Sequence, residues 1–278
     1  MSELSFLKPR QTNPHAPLFV YLPGMDSTGK LLHSQIGSLE QSFDVRCAAI
    51  PADNFHGWKT LAQQAVNAIK RELHQYPQRS VYLCGESFGG CLAMTVALNW
   101  PGLIDKLILS NPASSFKLYS FYHWAIPFTN WVPECWHWGM TRALLPFLIE
   151  LGRVKPRDRD ALLAAMRSVP PKTVGWRLSL LRDFTLDEAK FKDFKKPVLL
   201  IAGAADRLLP SVREAEWLAR KFPQSQIAIL PRSGHACLLE KDIKLYEILK
   251  THRWLEAKTA EVSMFSKWVE PSNDKLSF

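Results

Sequence analysis

Short apolar runs alternate with longer amphipathic stretches along most of this chain, and this alternation limits the folds open to it more than any other feature. The runs are largely apolar throughout, which is typical of strands buried on both faces of a parallel sheet. They lie at residues 18–22, 45–50, 81–84, 107–109, 198–202 and 227–230. Helical spacing of apolar residues is clearest over 60–76, and further helices are predicted near 88–99, 212–222 and 238–252. We therefore predict an α/β fold, with a mostly parallel sheet of about six strands flanked by helices.

Residues 113–196 interrupt this alternation, because they contain no clear strand. A structureless loop of that length is uncommon inside a compact domain, so we predict a helical insertion that covers part of the sheet as a cap, or lid. The core then comprises 18–112 and 197–255, with a lead-in at 1–17 and a C-terminal tail at 256–278.

The first part of the insertion is rich in aromatic residues, and four of them are candidates for contacting a substrate: Trp124, Phe128, Trp131 and Trp136. Aromatic side chains offer broad apolar surface with a few polar atoms, which suits a long acyl or isoprenoid group. The alternative is that the aromatic side chains form the core between cap and sheet, and we expect this for at least half of them.

Composition excludes several classes of protein. The chain has 35 basic and 26 acidic residues, which gives a net charge of +9. Because the basic residues are dispersed and no nucleic-acid motif accompanies them, we expect no nucleic-acid partner. Peripheral contact with an anionic membrane surface and a merely solvated basic surface are both open interpretations. The sequence has no apolar stretch of about 18 residues and no secretory signal pattern. Five scattered cysteines form no ligand cluster, so we expect a cytoplasmic protein with neither metal nor cofactor.

The segment Gly85-Glu86-Ser87-Phe88-Gly89 fits the pattern G-x-S-x-G between a predicted strand and a predicted helix. A tight strand-to-helix turn of this kind exposes the serine hydroxyl above the edge of the sheet, and small flanking residues permit the bend. Ser87 is therefore the candidate nucleophile. The alternative is a structural glycine turn.

A serine hydroxyl needs a base, and that base needs an orienting carboxylate. His235 follows the last predicted strand, at the sheet edge where open parallel sheets place functional groups. Asp206 follows the strand 198–202, and the chain order serine, aspartate, histidine is the one expected for a nucleophile of this type. The turn Ser110-Asn111-Pro112, one strand earlier, offers no carboxylate. We expect surface, linker or cap positions for the other histidines: His15, His33, His56, His74, His123, His137 and His252.

Acyl transfer also needs N–H donors for the oxyanion that forms in the tetrahedral intermediate. The main-chain N–H of Phe88, directly after the nucleophile, is one candidate. The second is the N–H of Met25, in the loop after the first strand, where Gly24 permits close approach of the backbone. A plain turn is the alternative for this loop, and Asp26 is expected only to stabilise it.

The motifs LPGMDSTG, GESFGG, NPA, GAAD and SGH together resemble the α/β-hydrolase superfamily over about residues 18–252. LPGMDSTG with GESFGG further resembles the hydrolase part of the esterase, lipase and thioesterase group of plastids and cyanobacteria that includes phytyl ester synthases. This resemblance implies a lipophilic acyl substrate, and an alcohol such as phytol or diacylglycerol. An acyltransferase-like C-terminal region of the longer plant synthases has no counterpart in these residues, so hydrolysis is the expectation.

Three classes of function are open from the sequence. The first is a serine hydrolase acting on lipophilic carboxylic esters or thioesters through an acyl-enzyme on Ser87. The second is an acyltransferase, in which a lipid alcohol replaces water at the same residues. The third is a non-enzymatic lipid-binding protein on the same fold, and the presence of all three candidate catalytic residues argues against it.

Overall fold

Seven strands form one sheet in the computed structural model, which describes residues 2–7, 12–118 and 134–255. The sheet order is β1-β3-β2-β4-β5-β6-β7, and every pairing is parallel except that of β1 with β3. The strands are β1 (Ser5–Phe6), β2 (Leu18–Leu22), β3 (Asp44–Ala49), β4 (Val81–Glu86), β5 (Lys106–Ser110), β6 (Val198–Gly203) and β7 (Ser225–Leu230). All residues of β2, β4 and β6 are buried, which explains why these runs lack polar alternation.

Helices cover both faces of this sheet. They are α1 (His33–Leu39), α2 (Trp58–Leu73), α3 (Phe88–Asn99), α4 (Glu134–Leu148), α5 (Pro156–Arg167), α6 (Pro171–Arg182), α7 (Glu188–Asp193), α8 (Ser211–Lys221) and α9 (Leu245–Thr251). One apolar cluster packs α2, α3 and α8 against the sheet, and a second cluster packs α1 and α9 against its other face. In α2, Leu61, Ala65 and Ile69 are buried, as their helical spacing predicts.

The strand β1 departs from the expectation of about six strands. Ser5 and Phe6 lie in the predicted lead-in and pair antiparallel with Ala49 and Ala48 at the edge of β3. A two-residue strand carries no periodic pattern, so the sequence does not reveal it.

The prediction of a single helix over 238–252 is wrong for its first half. The chain forms a short 3₁₀ turn at Cys237–Leu239, and α9 begins at Leu245. Between them Glu240 makes an antiparallel bridge with Val154, and its carboxylate pairs with Arg153 at 2.6 Å. These tertiary partners override the helical pattern.

The described residues between β5 and β6 carry the helices α4, α5, α6 and α7. Three of the predicted substrate contacts, Trp124, Phe128 and Trp131, lie outside the described residues, and so does the side chain of Trp136 in α4. Across 2–7, 12–118 and 134–255, none of the helices combines the length and apolar character required to span a bilayer.

Candidate active site

Ser87 occupies the turn between β4 and α3 with φ 52° and ψ −115°. A non-glycine residue at positive φ is strained, and such strain is common at functional sites. The close packing around the turn explains the neighbouring glycines. A Cβ on Gly85 would lie 2.3 Å from the carbonyl oxygen of Gly89, and one on Gly89 would lie 2.1 Å from that of Leu22. The main-chain N–H of Ser87 donates to the carbonyl of Ser110 at 3.0 Å, which ties the turn to β5.

Ser87, His235 and Asp206 are joined by two hydrogen-bond contacts. Ser87 Oγ lies 2.8 Å from Nε2 of His235, and Nδ1 of the same ring lies 2.7 Å from Oδ2 of Asp206. Because the carboxylate can only accept, Nδ1 carries the ring proton and Nε2 is left to accept the hydroxyl proton of Ser87. The structure therefore brings together the three side chains that the sequence analysis selects.

Asp206 lies in the loop that follows β6, and groups that come later in the chain bind its carboxylate. Its Oδ1 accepts the N–H groups of Leu208 at 2.8 Å and Leu209 at 3.0 Å, and its Oδ2 also accepts the hydroxyl of Ser211. Burial raises the pKa of Asp206, but the charge of His235 and these hydrogen bonds outweigh it, so the pKa lies below the usual aspartate value. Asp206 is thus an oriented anion at neutral pH.

His235 is 3% exposed, on the loop after β7. Burial lowers the pKa of His235, but the carboxylates of Asp206, Glu86 and Glu214 outweigh this effect and raise it above the usual histidine value. The loop itself is fixed by Glu240, which accepts the N–H of Gly234 at 2.8 Å.

The two predicted oxyanion donors, the N–H groups of Met25 and Phe88, belong to segments next to Ser87. A Cβ placed on Gly24 would lie 3.7 Å from Cβ of Ser87, so the loop after β2 packs directly against the nucleophile turn. Neither the N–H of Met25 nor that of Phe88 donates a hydrogen bond to any residue that the structure describes. Their role as oxyanion donors therefore stays a prediction.

Four residues around the site are not predicted from the sequence. The hydroxyl of Ser211 donates to the carboxylate of Asp206, and the side-chain amide of Asn111 donates to the carbonyl of His235. Glu86 is 8% exposed and accepts the phenol of Tyr21, and burial raises the pKa of Glu86 to about 7. Arg177 contacts the carbonyl of Met25. Of these four residues, Glu86 is the one that the sequence could have suggested, because its ionisable carboxylate directly precedes the candidate nucleophile.

A cavity of about 540 Å³ is lined mainly by residues of α7, α8 and the segment after β5, and Ser87, Asp206 and His235 are not among its lining residues. Its apolar wall includes Phe184, Phe191 and Trp217, and Lys117, Arg213 and Arg220 are its basic side chains. In the described part of the chain, no three histidine, cysteine or acidic side chains are grouped to hold a metal ion.

The chain is similar in sequence to known hydrolases and ester synthases. The sequence profile of a family described as serine aminopeptidase, S33, matches residues 53–242. Phytyl ester synthase 1 of Arabidopsis thaliana is 29% identical over 95% of this chain, which spans only 40% of that protein. A pimeloyl-[acyl-carrier protein] methyl ester esterase of Aromatoleum aromaticum is 30% identical over 70% of this chain and 81% of its own length.

Solved structures agree on the fold. MenH from S. aureus superposes with a TM-score of 0.70 at 19% identity, covering 91% of this chain and 100% of MenH. The predicted fold class is confirmed, and so is the predicted resemblance to phytyl ester synthases. The chain belongs to the α/β-hydrolase superfamily, within the family described as serine aminopeptidase, S33.

Proposed function

We propose that this protein is a serine esterase or thioesterase that acts on a lipophilic acyl substrate through an acyl-enzyme on Ser87. The observation that carries the proposal is the unbroken series of contacts from Ser87 Oγ to His235 Nε2, at 2.8 Å, and from His235 Nδ1 to Asp206, at 2.7 Å. Such a series supplies a nucleophile, a base and an orienting anion.

In the first half of the reaction, Ser87 Oγ attacks the carbonyl carbon of the substrate as His235 Nε2 takes the hydroxyl proton. The carbonyl oxygen becomes an oxyanion that accepts from the N–H groups of Met25 and Phe88. Collapse of the intermediate breaks the bond to the alcohol or thiol, which leaves with the proton from His235. In the second half, His235 deprotonates a water that attacks the acyl-enzyme and releases the acid and free Ser87.

Two relatives support the lipophilic substrate class. One is a phytyl ester synthase and another is an esterase of a pimeloyl-[acyl-carrier protein] methyl ester. Transfer of the acyl group to a lipid alcohol is the second candidate function, favoured by the match to the synthase over 95% of this chain. It uses the same residues, with the alcohol in place of water.

A fluorophosphonate probe tests the nucleophile, because it phosphonylates an activated serine. We expect wild-type protein to be labelled and Ser87→Ala to be neither labelled nor active. Ser38→Ala, in which the lost hydroxyl donates to the carbonyl of Gln35 within α1, should behave as wild type. Normal turnover by Ser87→Ala would contradict the proposal. Product analysis on long-chain esters and thioesters, with and without phytol or diacylglycerol, separates hydrolysis from transfer.

We also propose that the protein contacts anionic lipid surfaces at the periphery of the membrane. The net charge of +9 supports this, as do Lys117, Arg213 and Arg220, which have no ion-pair partner in the described ranges. Flotation with anionic vesicles should carry the protein upward, and phosphatidylcholine vesicles should not. Equal recovery with both would count against it.

A further inference from the structure

Arg177, in α6 of the insertion, reaches across to the loop that follows β2. It is 2% exposed, and Nη1 donates to the carbonyl of Met25 at 2.7 Å. Nη2 of the same guanidinium donates to the carbonyl of Ile50, directly after β3, at 3.1 Å. One side chain thus joins the insertion to two neighbouring segments at the carboxyl edge of the sheet.

The charge of Arg177 is buried without a bonded carboxylate. Within the described residues, all hydrogen bonds of this guanidinium go to main-chain carbonyls, and Asp26 is the acidic group whose charge acts on it. Burial lowers the pKa of Arg177 to about 10, so it remains a cation at neutral pH. A charge held away from water at such a site interacts strongly with any neighbouring charge that forms.

Among the residues that the structure describes, the other main-chain hydrogen bonds of the loop that Arg177 contacts lie within its own turns or join it to Ile50, directly after β3. Ser27 donates its N–H to the carbonyl of Gly24 at 2.9 Å, and Ile50 donates to the carbonyl of Ser27 at 2.9 Å. Arg177 adds the shorter of two side-chain hydrogen bonds to the carbonyl of Met25, at 2.7 Å, and the hydroxyl of Ser27 donates the other at 3.5 Å. Because Met25 is the residue whose N–H is the candidate oxyanion donor, fixing its carbonyl limits the rotations that would turn that N–H away from Ser87.

We propose that Arg177 is a positioning residue for the oxyanion-binding loop: it holds the carbonyl of Met25, and its buried positive charge favours the negative charge that develops on the substrate oxygen. This inference rests on the proposed function, since it requires acyl transfer at Ser87. It also gives the insertion a part in the chemical step, because α6 supplies the residue.

Two variants separate the hydrogen bonds from the charge. Arg177→Gln keeps a donor but removes the charge, and Arg177→Lys keeps the charge but loses the paired donors. We expect kcat to fall by about 10²-fold for Arg177→Gln and by about tenfold for Arg177→Lys, with KM within threefold of wild type, in line with the loss of one oxyanion donor. Affinity for a trifluoromethyl ketone, which forms an oxyanion on binding Ser87, should fall by the same factors.

Thr173→Val is the matched control. Thr173 lies on the same helix and donates to the carbonyl of Ala52 at 2.7 Å, so its loss loosens α6 without touching Met25. Unchanged kcat and ketone affinity in a folded Arg177 variant, or equal losses in Thr173→Val, would overturn the inference. If Arg177→Gln does not fold, the ketone affinity of Arg177→Lys decides. Activity that survives Ser87→Ala contradicts the proposed function instead, which keeps the two failures distinct.

Discussion

The side-chain amide of Asn111 donates to the main-chain carbonyl of His235 over 2.6 Å, and its oxygen accepts the N–H of Gly203 at 2.8 Å. Asn111 is completely buried in the turn after β5. It therefore ties the end of β6, which leads to Asp206, to the loop that carries the histidine. Asn111 cannot supply the orienting carboxylate, but it holds together the two segments that carry Asp206 and His235.

Asn111→Ala should lower both stability and turnover. It leaves the carbonyl of His235 and the N–H of Gly203 without their partner, and each unsatisfied buried group costs about 1–3 kcal/mol. We expect the free energy of unfolding to fall by about 3 kcal/mol, measured by urea denaturation, and kcat to fall with it. Asn67→Ala removes an exposed bond from Gln63 on α2 and should change stability by less than about 0.5 kcal/mol. Equal effects of the two variants would contradict the bridging role.

The sheet and the three side chains of the candidate triad could be predicted because each has a local signal. Buried strands such as Leu18–Leu22 are continuously apolar, and Ser87 lies within a glycine pattern between a strand and a helix. The supporting residues could not be predicted, because their roles depend on partners distant in the chain. Arg177 reaches Met25 across 152 positions, and Asn111 reaches His235 across 124. No periodicity or spacing marks such a contact before the fold is known.

Asp206→Asn should leave the fold intact and lower kcat by a factor on the order of 10⁴, as in the serine-protease precedent. Asparagine can still accept the N–H groups of Leu208 and Leu209 with its oxygen, which places its NH₂ group toward His235. Nδ1 then accepts instead of donating, so Nε2 carries the proton and cannot act as base for Ser87. Steady-state rates and the rate of fluorophosphonate labelling both test this. A loss of tenfold or less would contradict the orienting role.

Gly89→Ala tests the tight packing of the turn that carries Ser87. The added Cβ would lie 2.1 Å from the carbonyl oxygen of Leu22 and 2.4 Å from that of Pro23, and neither main-chain atom can rotate away. We expect a loss of at least about 3 kcal/mol in unfolding free energy, at the upper end for overpacking. Gly102→Ala is the control, since nothing lies within 4 Å of its added Cβ. Equal melting temperatures for the two variants would show that the turn has room to adjust.

We expect Glu86 to make the site sensitive to pH near neutrality. Burial raises the pKa of Glu86 to about 7, although the hydrogen bond from Tyr21 opposes this. Below that pH the carboxyl is neutral, and above it the carboxylate places a negative charge near His235. Because that charge favours the imidazolium, it contributes to the raised pKa of His235, after the larger contribution of Asp206.

Glu86→Gln should therefore move the acidic limb of the pH profile to lower pH. The proposed reaction needs neutral His235, so kcat/KM rises as pH increases through the pKa of His235, which lies above its usual value. Glutamine can still accept the phenol of Tyr21 but never carries a charge, so the pKa of His235 falls and the limb follows it downward. Profiles of kcat/KM from about pH 5 to 9 measure the shift. Glu216→Gln, an exposed carboxylate of α8, should leave the limb unmoved. A limb that stays in place or moves upward in Glu86→Gln would show that this carboxyl does not act on the histidine.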